Sequence, residues 1–374
     1  MNYDVIVLGL GGMGSATFYQ LASRGLKVLG LERFDIPHTM GSSHGLTRII
    51  RLAYHEHPQY VPLLRRAYEL WRSLEREAGR TVFHQTGSID VSREEDSVFA
   101  GSLASCLEHD LPHEVLTSRE LTARFPGYRL PDRMKAVFQP QGGFLEPEAS
   151  IVSYVTLGMA AGGEARARER VLAWEPRGDG VVVTTDRGEY RAGKLVIAGG
   201  AWASSLVPAL AELAVPERQV LIWLQPTEPA HFTPERFPVF NCAVEEGHFY
   251  GFPVFAIPGF KFGRYHHLEE RVDPETVDRE CHPRDEAVLR QFAERYFPDG
   301  AGATMSMKAC MFTNTPDLHF VIDRLPECPE VSIAAGFSGH GFKFCSVVGE
   351  ILADLATRGE TGHEIGMFRL ARFA

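Results

Sequence analysis

No stretch of this 374-residue chain approaches the roughly 18 uninterrupted apolar residues that span a bilayer, so a membrane-embedded protein is not expected. Its six cysteines (Cys106, Cys242, Cys281, Cys310, Cys328 and Cys345) are widely spaced and never form a C-x-x-C pair. That absence argues against a zinc knuckle or a disulfide framework and fits a reducing compartment; no metal centre is expected. The N-terminus lacks the basic region, apolar stretch and cleavage site of a signal peptide, and the last residues, Ala-Arg-Phe-Ala, are not a peroxisomal address. A cytoplasmic protein starting at Met1 is the expectation. Positive charge is also in deficit: the formal net charge of −10 disfavours binding to nucleic-acid phosphates. There is no internal repeat, low-complexity tract or long linker.

What is present suits a globular protein of two lobes. The 44% hydrophobic and 23% charged content is ordinary for such a chain, and its length exceeds one typical core. The apolar run Asp4 to Leu8 leads into Gly-Leu-Gly-Gly-Met-Gly and then Ser15 to Ser23, where Ala16, Tyr19 and Ala22 recur at helical spacing. A second run, Lys27 to Leu31, ends in Glu32. Strand, tight turn, helix, strand and acid make a dinucleotide-binding βαβ unit. In its G-x-G-x-x-G pattern Gly9 permits the turn, Gly11 lets backbone amides approach a pyrophosphate, and Gly14 lets helix and strand pack closely. Glu32 would bond a ribose of NAD or FAD alike, so this motif does not choose between them.

Further on, Tyr60, Leu63, Leu64, Ala67, Tyr68, Leu70 and Trp71 predict an amphipathic helix between Pro58 and Arg80. Short runs at Val171 to Trp174, Val181 to Thr185 and Leu195 to Ala198 read as strands, the last returning to the nucleotide-binding sheet. Val220 to Tyr265, rich in aromatic and β-branched residues, predicts a larger antiparallel sheet that floors a pocket. Val331 to Ala335, the glycine-rich turn Gly336 to Gly341 and the helical spacing of Phe344 to Thr357 repeat strand, loop and helix. Arg48 and Arg51 stand three apart, a spacing that puts both guanidinium groups on one face of a turn.

Three long motifs carry a resemblance: His38-Thr-Met-Gly-Ser-Ser-His-Gly-Leu-Thr-Arg-Ile-Ile-Arg51, Lys308-Ala-Cys-Met-Phe-Thr-Asn-Thr315, and Gly336-Phe-Ser-Gly-His-Gly-Phe-Lys-Phe344. With them the chain resembles, from end to end, the monomeric sarcosine oxidase and N-methyltryptophan oxidase family. The resemblance implies an α/β fold in which an FAD-binding Rossmann-type domain (1–85, 145–215 and 321–374) is interleaved with a mixed-sheet, largely antiparallel substrate domain (86–144 and 216–320). It implies FAD held by a thioether to Cys310, with Gly9, Gly11, Gly14, Glu32, Arg33, Ser42, His44, Thr47, Gly339, His340, Gly341 and Lys343 around it. It implies a substrate carboxylate bound by Arg51 and Lys343, with Arg48 against the flavin and Lys261 near flavin N5 assisting reaction with oxygen. The arginine fork suits a planar carboxylate. The implied protein is a monomer.

Two departures from the family pattern bear on the substrate. After Lys261 the chain reads Phe-Gly-Arg-Tyr-His-His, one residue longer than the pattern in which a single histidine reaches the substrate. His266 is the expected residue, with His267 as the alternative. Phe312 stands where the family has a tyrosine, which removes a polar contact and favours a substrate bulkier than sarcosine. Tyr250 matches a pocket wall. The expected reaction is oxidation of a small secondary amino acid by hydride transfer to flavin, imine hydrolysis, and reduction of O2 to H2O2. Sarcosine, a larger N-methyl amino acid, a cyclic imino acid or an opine-like conjugate would each fit. The rivals are a flavin dehydrogenase passing electrons to another acceptor, a non-catalytic flavin-binding subunit, and a nicotinamide dehydrogenase.

Overall fold

Two large sheets, each assembled from non-contiguous pieces of chain, form the protein; the computed structural model describes residues 2–374. In the first sheet Asn2–Leu8 lies parallel to Val28–Leu31 on one side and to Glu189–Ile197 on the other. Glu164–Arg166 extends the first edge, and Cys328–Ala335 pairs parallel with the last residues of Glu189–Ile197. The runs Val5 to Leu8 and Val28 to Leu31 are buried on both faces, as central parallel strands must be. Helices Gly12–Ser23, Pro147–Ala160 and Cys345–Arg358 pack together on one face, around Phe18, Tyr154 and Val348. The expected nucleotide-binding sheet is present.

The amphipathic segment after Pro58 becomes a short 3-10 turn, Pro58–Tyr60, followed by the helix Val61–Ala78. Leu63, Leu64, Ala67, Trp71 and Leu74 make its buried stripe, and Gly79, at φ 62°, closes it in a left-handed cap. The Trp71 indole N–H donates to the Lys343 carbonyl at 2.8 Å, which ties this helix to the loop after Cys328–Ala335.

The second sheet runs in the order Thr304–Asn314, Val215–Leu224, Phe260–Arg264, Gly247–Phe252, Val239–Val244, Ser88–Arg93, Met134–Gln139, Glu114–Thr117. It is antiparallel throughout except where Val239–Val244 meets Ser88–Arg93. One face is apolar: Val220, Ile222, Phe240, Phe249, Phe260 and Phe262 pack under Leu289, Phe292 and Tyr296 of the helix Pro283–Tyr296. Register puts Asp90, Asn241, Tyr250, Gly263 and Leu221 in one row on the opposite face, with Lys261 and Cys310 in adjoining rows. That face looks toward the first sheet and bears the candidate site. Among the described residues no helix is long and apolar enough to cross a membrane, and no cluster of side chains could hold a metal ion.

Candidate active site

The glycine loop has the steric logic its spacing predicts. Gly9 sits at φ +86°, and a Cβ there would lie 2.6 Å from the Ala198 carbonyl oxygen. A Cβ on Gly14 would fall 1.7 Å from the Gly9 oxygen, so helix and strand can touch only through glycine. A Cβ on Gly11 would meet nothing within 4 Å, and Gly11 is the residue that opens the helix Gly12–Ser23 toward a cavity. The buried Glu32 carboxylate accepts from Leu10 N (2.9 Å) and Phe34 N (3.0 Å), which fixes the loop around it.

The cavity, about 440 Å³, runs from Gly11, Glu32 and Arg33 past Ser42 and Arg48 to Phe312 and Gly339. At its outer end Arg33 pairs with Glu275 (2.6 Å), which also accepts from the Trp202 indole (3.1 Å). At its inner end the loop Gly41 to Thr47 is pinned from both sides. Glu148 accepts from Gly45 N (2.6 Å), and Lys261 Nζ donates to Gly45 O (2.6 Å), Thr47 O (2.9 Å) and Thr47 Oγ1 (2.8 Å). Burial, then Arg48, pulls the Lys261 pKa well below its usual value, while its three oxygen acceptors favour the charged ammonium. Arg48 donates to Ser42 O (2.6 Å) and Thr47 O (2.8 Å), and its Nη2 lies 3.9 Å from the buried Cys310 Sγ. His44 is 1% exposed, and neither of its ring nitrogens has a partner. Burial, with Arg48 and Lys261 beside it, pushes this imidazole down to about 3, so it is neutral and short of polar contacts.

Those observations test the fit of FAD. A glycine turn with space at Gly11, an acid at the end of the second strand, an elongated cavity that reaches Arg48, and an unsatisfied imidazole beside that arginine all suit a flavin dinucleotide.

Arg48 and Arg51 do not share a face. Arg48–Ile50 is a strand, antiparallel to Gly143–Leu145, and residues three apart on a strand point to opposite sides. Arg48 turns to Cys310, whereas Arg51, 1% exposed, turns to a separate cluster. Its guanidinium bonds Glu56 Oε2 (2.8 Å), His55 Nδ1 (2.9 Å) and Ala53 O, and its Nε lies 3.6 Å from Asp90 Oδ1. Lys343 reaches the same place: Arg51 lies 4.5 Å and Lys343 Nζ 5.1 Å from the centroid of the Tyr54 ring. Lys343 Nζ donates to His340 O (2.6 Å), and burial, with Arg51 nearby, pushes its pKa down to about 7. His340 is held by Tyr54 OH on Nδ1 (2.5 Å) and Leu318 O on Nε2 (2.9 Å); the carbonyl needs an N–H, so Nε2 carries the proton and Nδ1 accepts. Gly339, at φ +78°, lies against the Phe312 ring, which a Cβ there would meet at 2.5 Å; at Gly341 the Phe337 side chain is equally close, at 2.4 Å.

Between these clusters stands an aromatic wall of Tyr250, Tyr265 and Phe312, with the Tyr265 ring 4.9 Å from Tyr250 and 5.8 Å from Phe312. Neither expected histidine joins it. His266 adopts φ +51° and turns its half-exposed ring to Glu217 (3.0 Å), which raises its pKa. His267 is buried on Asp285 (3.1 Å), itself paired with Arg218. The position on the wall belongs to Tyr265, which follows Lys261 and Gly263 at strand spacing, so that alternation was a signal for it. Reasoning from the sequence also missed Asp90, Asn241, His55, Glu56 and His248. The His248 ring stacks on Tyr265 at 4.5 Å and faces His55 at 5.3 Å.

Comparison with known proteins gives the following. The family described as FAD dependent oxidoreductase matches residues 4–355. A monomeric sarcosine oxidase of Bacillus sp. (strain NS-129) is 44% identical over 378 residues, covering 100% of this chain and 97% of the relative. An N-methyl-L-tryptophan oxidase of Yersinia pestis (strain Pestoides F) is 34% identical and covers 100% of both chains. Among solved structures, NikD, an unusual amino acid oxidase essential for nikkomycin biosynthesis, superposes with a TM-score of 0.85 at 27% identity, covering 98% of this chain and 97% of its own.

Proposed function

The chain belongs to the FAD-dependent oxidoreductase family, and we propose that it is an oxidase of a secondary amino acid, with FAD joined through Cys310 and oxygen as the electron acceptor. The observation that carries this reading is the pair of buried cations, Arg51 and Lys343, on the single ring of Tyr54. A carboxylate is the group two such cations recognise. The names of the relatives, sarcosine oxidase and N-methyl-L-tryptophan oxidase, support an N-alkyl amino acid as the substrate class.

Arg51 and Lys343 bind the substrate carboxylate and so fix where the carbon beside nitrogen lies. Glu56 already takes one edge of the Arg51 fork, so the incoming carboxylate competes with it. Burial disfavours the charged form of Lys343, and an arriving carboxylate restores its proton. Tyr250, Tyr265 and Phe312 exclude water from the N-alkyl end. When bound, FAD would supply the two-electron chemistry, as acceptor for a hydride equivalent from the C–H beside nitrogen and donor of the electron pair that reduces O2 to H2O2. The substrate leaves as an imine, which water hydrolyses to an amine and a carbonyl compound. Lys261 and Arg48 hold positive charge beside Cys310, where negative charge develops on oxygen. Gly9, Gly11, Gly14, Glu32, Arg33, Ser42, His44 and Thr47 line or brace the cofactor cleft, with Gly339, His340 and Gly341 closing its flavin end.

We divide the chain into a cofactor lobe (1–85, 145–215, 321–374) and a substrate lobe (86–144, 216–320), each built on one of the two large sheets. Six free thiols support a reducing, cytoplasmic setting, and the monomeric state named for the sarcosine oxidases supports a monomer.

The test is acid precipitation of the purified protein beside Cys310→Ala, together with peroxide release from sarcosine, N-methyl-L-tryptophan and L-pipecolate. Yellow colour retained in the pellet only by the unsubstituted protein, with peroxide from at least one compound, is expected. Flavin that washes out of both proteins would overturn the covalent link. Flavin reduction by a substrate without peroxide would overturn the oxidase reading in favour of another electron acceptor.

A further inference from the structure

Two oxygens at the carboxylate end of the site have nothing to accept. Asp90 is fully buried on the strand Ser88–Arg93, and Asn241, 1% exposed, is its direct neighbour on Val239–Val244. Asn241 Nδ2 donates to Asp90 Oδ1 at 2.8 Å, which fixes the orientation of the amide. Its own Oδ1 and Asp90 Oδ2 are therefore both acceptors, and neither has a hydrogen-bond partner. An unpaired buried carboxylate oxygen is costly, and native interiors rarely carry two such acceptors side by side. Register places this pair in one row with Tyr250 of the aromatic wall, and Asp90 Oδ1 is 3.6 Å from Arg51 Nε. His55 offers no donor to it: its Nδ1, 3.9 Å from Asp90 Oδ1, is the atom that receives Arg51 Nη2.

Charge balance points the same way. Arg51 and Lys343 already face two carboxylates, Glu56 and Asp90. A substrate carboxylate would make three acids against two bases in a buried site. One further positive charge on the substrate restores neutrality and gives both orphaned oxygens a donor.

We propose that Asp90 and Asn241 form a second subsite, beside the carboxylate clamp, that accepts a cationic side-chain group, so that the preferred substrate is a secondary amino acid with a basic side chain. This deepens the oxidase reading and rests on it. Asp90 Oδ2 and Asn241 Oδ1 accept from the ammonium, Arg51 and Lys343 hold the carboxylate, and the secondary amine is left at the aromatic wall.

The test compares Nα-methyl-L-lysine with Nα-methyl-L-norleucine, which has a side chain of similar length without the ammonium, in the unsubstituted enzyme and in Asp90→Asn. At least a tenfold higher kcat/KM for the lysine compound is expected, falling to within about threefold in the near-isosteric variant. Equal rates for the two compounds, or preference for norleucine, would overturn the proposal. So would an Asp90→Asn variant that loses activity equally on both, which would make Asp90 only a positioning partner of Arg51. A binding measurement needs no turnover: 4-aminobutyrate, 5-aminopentanoate and 6-aminohexanoate are titrated against the flavin spectrum of the unsubstituted holoenzyme beside butyrate, pentanoate and hexanoate. At least one amino compound should bind tenfold or more tighter than its unaminated partner, and none doing so refutes the subsite. Peroxide from neutral secondary amino acids alone sinks this inference and leaves the oxidase reading standing; flavin that no secondary amino acid reduces sinks the oxidase reading itself.

Discussion

Replacing Lys343 with glutamine should abolish a pH dependence of ligand binding that the unsubstituted protein displays. In the open site burial pushes the Lys343 pKa down to about 7, and a bound carboxylate moves it back toward the ordinary lysine range. Because the bound-state value lies above the free-state value, binding takes up a proton above pH 7, and affinity falls as pH rises. The protonated fraction of the free site drops from about one half at pH 7 to about one hundredth at pH 9, so Kd should rise on the order of 50-fold. The groups facing Lys343 include Glu56, held well below the usual carboxylate range although burial opposes it, and Arg51, Tyr54 and Cys345, all held high; Asp90 is the other carboxylate there. Cyclopentanecarboxylate is a suitable ligand because it has no amine to titrate, and flavin absorbance reports its binding. Lys343→Gln should bind it about 30-fold more weakly than the unsubstituted protein at pH 7, with little slope between pH 7 and 9, so that the two proteins converge at the alkaline end. An unsubstituted Kd that stays flat from pH 7 to 9, or a glutamine variant with the same slope, would refute the reasoning.

Three further outcomes follow from the geometry. Gly14→Ala forces a methyl to within 1.7 Å of the Gly9 oxygen, so it should destabilise the protein by about 3 kcal/mol or more and yield it free of flavin; a yellow variant with unchanged Tm would contradict this. Lys261→Met should slow reoxidation of the reduced enzyme by oxygen about 100-fold in stopped flow, with anaerobic reduction by substrate little altered, and an unaltered reoxidation rate would remove Lys261 from that step. Tyr265→Ala should raise KM about tenfold while His266→Ala stays within about twofold; the reverse order would return the histidine to the site.

The parts of the site legible in the sequence are those fixed by short-range rules or long motifs. The glycine spacing and Glu32 follow from local sterics, and Arg51 with Lys343 from extended motifs; the structure brings that second pair to one ring across almost 300 residues of chain. Errors arose where a side chain's direction depends on the strand it occupies. Arg48 and Arg51 read as one face of a turn, but a three-residue strand separates them. Residue type favours His266, yet its own left-handed backbone, just past the strand Phe260–Arg264, absorbs the extra length and turns the histidine outward, leaving Tyr265 in register with Lys261. Asp90 gave no signal at all. On a strand read in isolation, an acid between Ile89 and Val91 looks like an ordinary solvent-facing position. Only the packing of the Arg51–His55 segment and of the helix Ser97–Glu108 over that strand converts it into a buried charge.

Interleaving of the two sheets has a consequence for how such a protein can change. The strands of the first come from residues 2–31, 164–197 and 321–335, and those of the second from 88–139 and 215–314. No single cut in the chain separates them, so a substrate lobe cannot be exchanged for another by joining gene fragments end to end. New substrate ranges in this architecture must arise by altering individual site-facing positions on strands already in place, such as Asp90, Asn241 and Tyr250, while the nucleotide cradle stays intact.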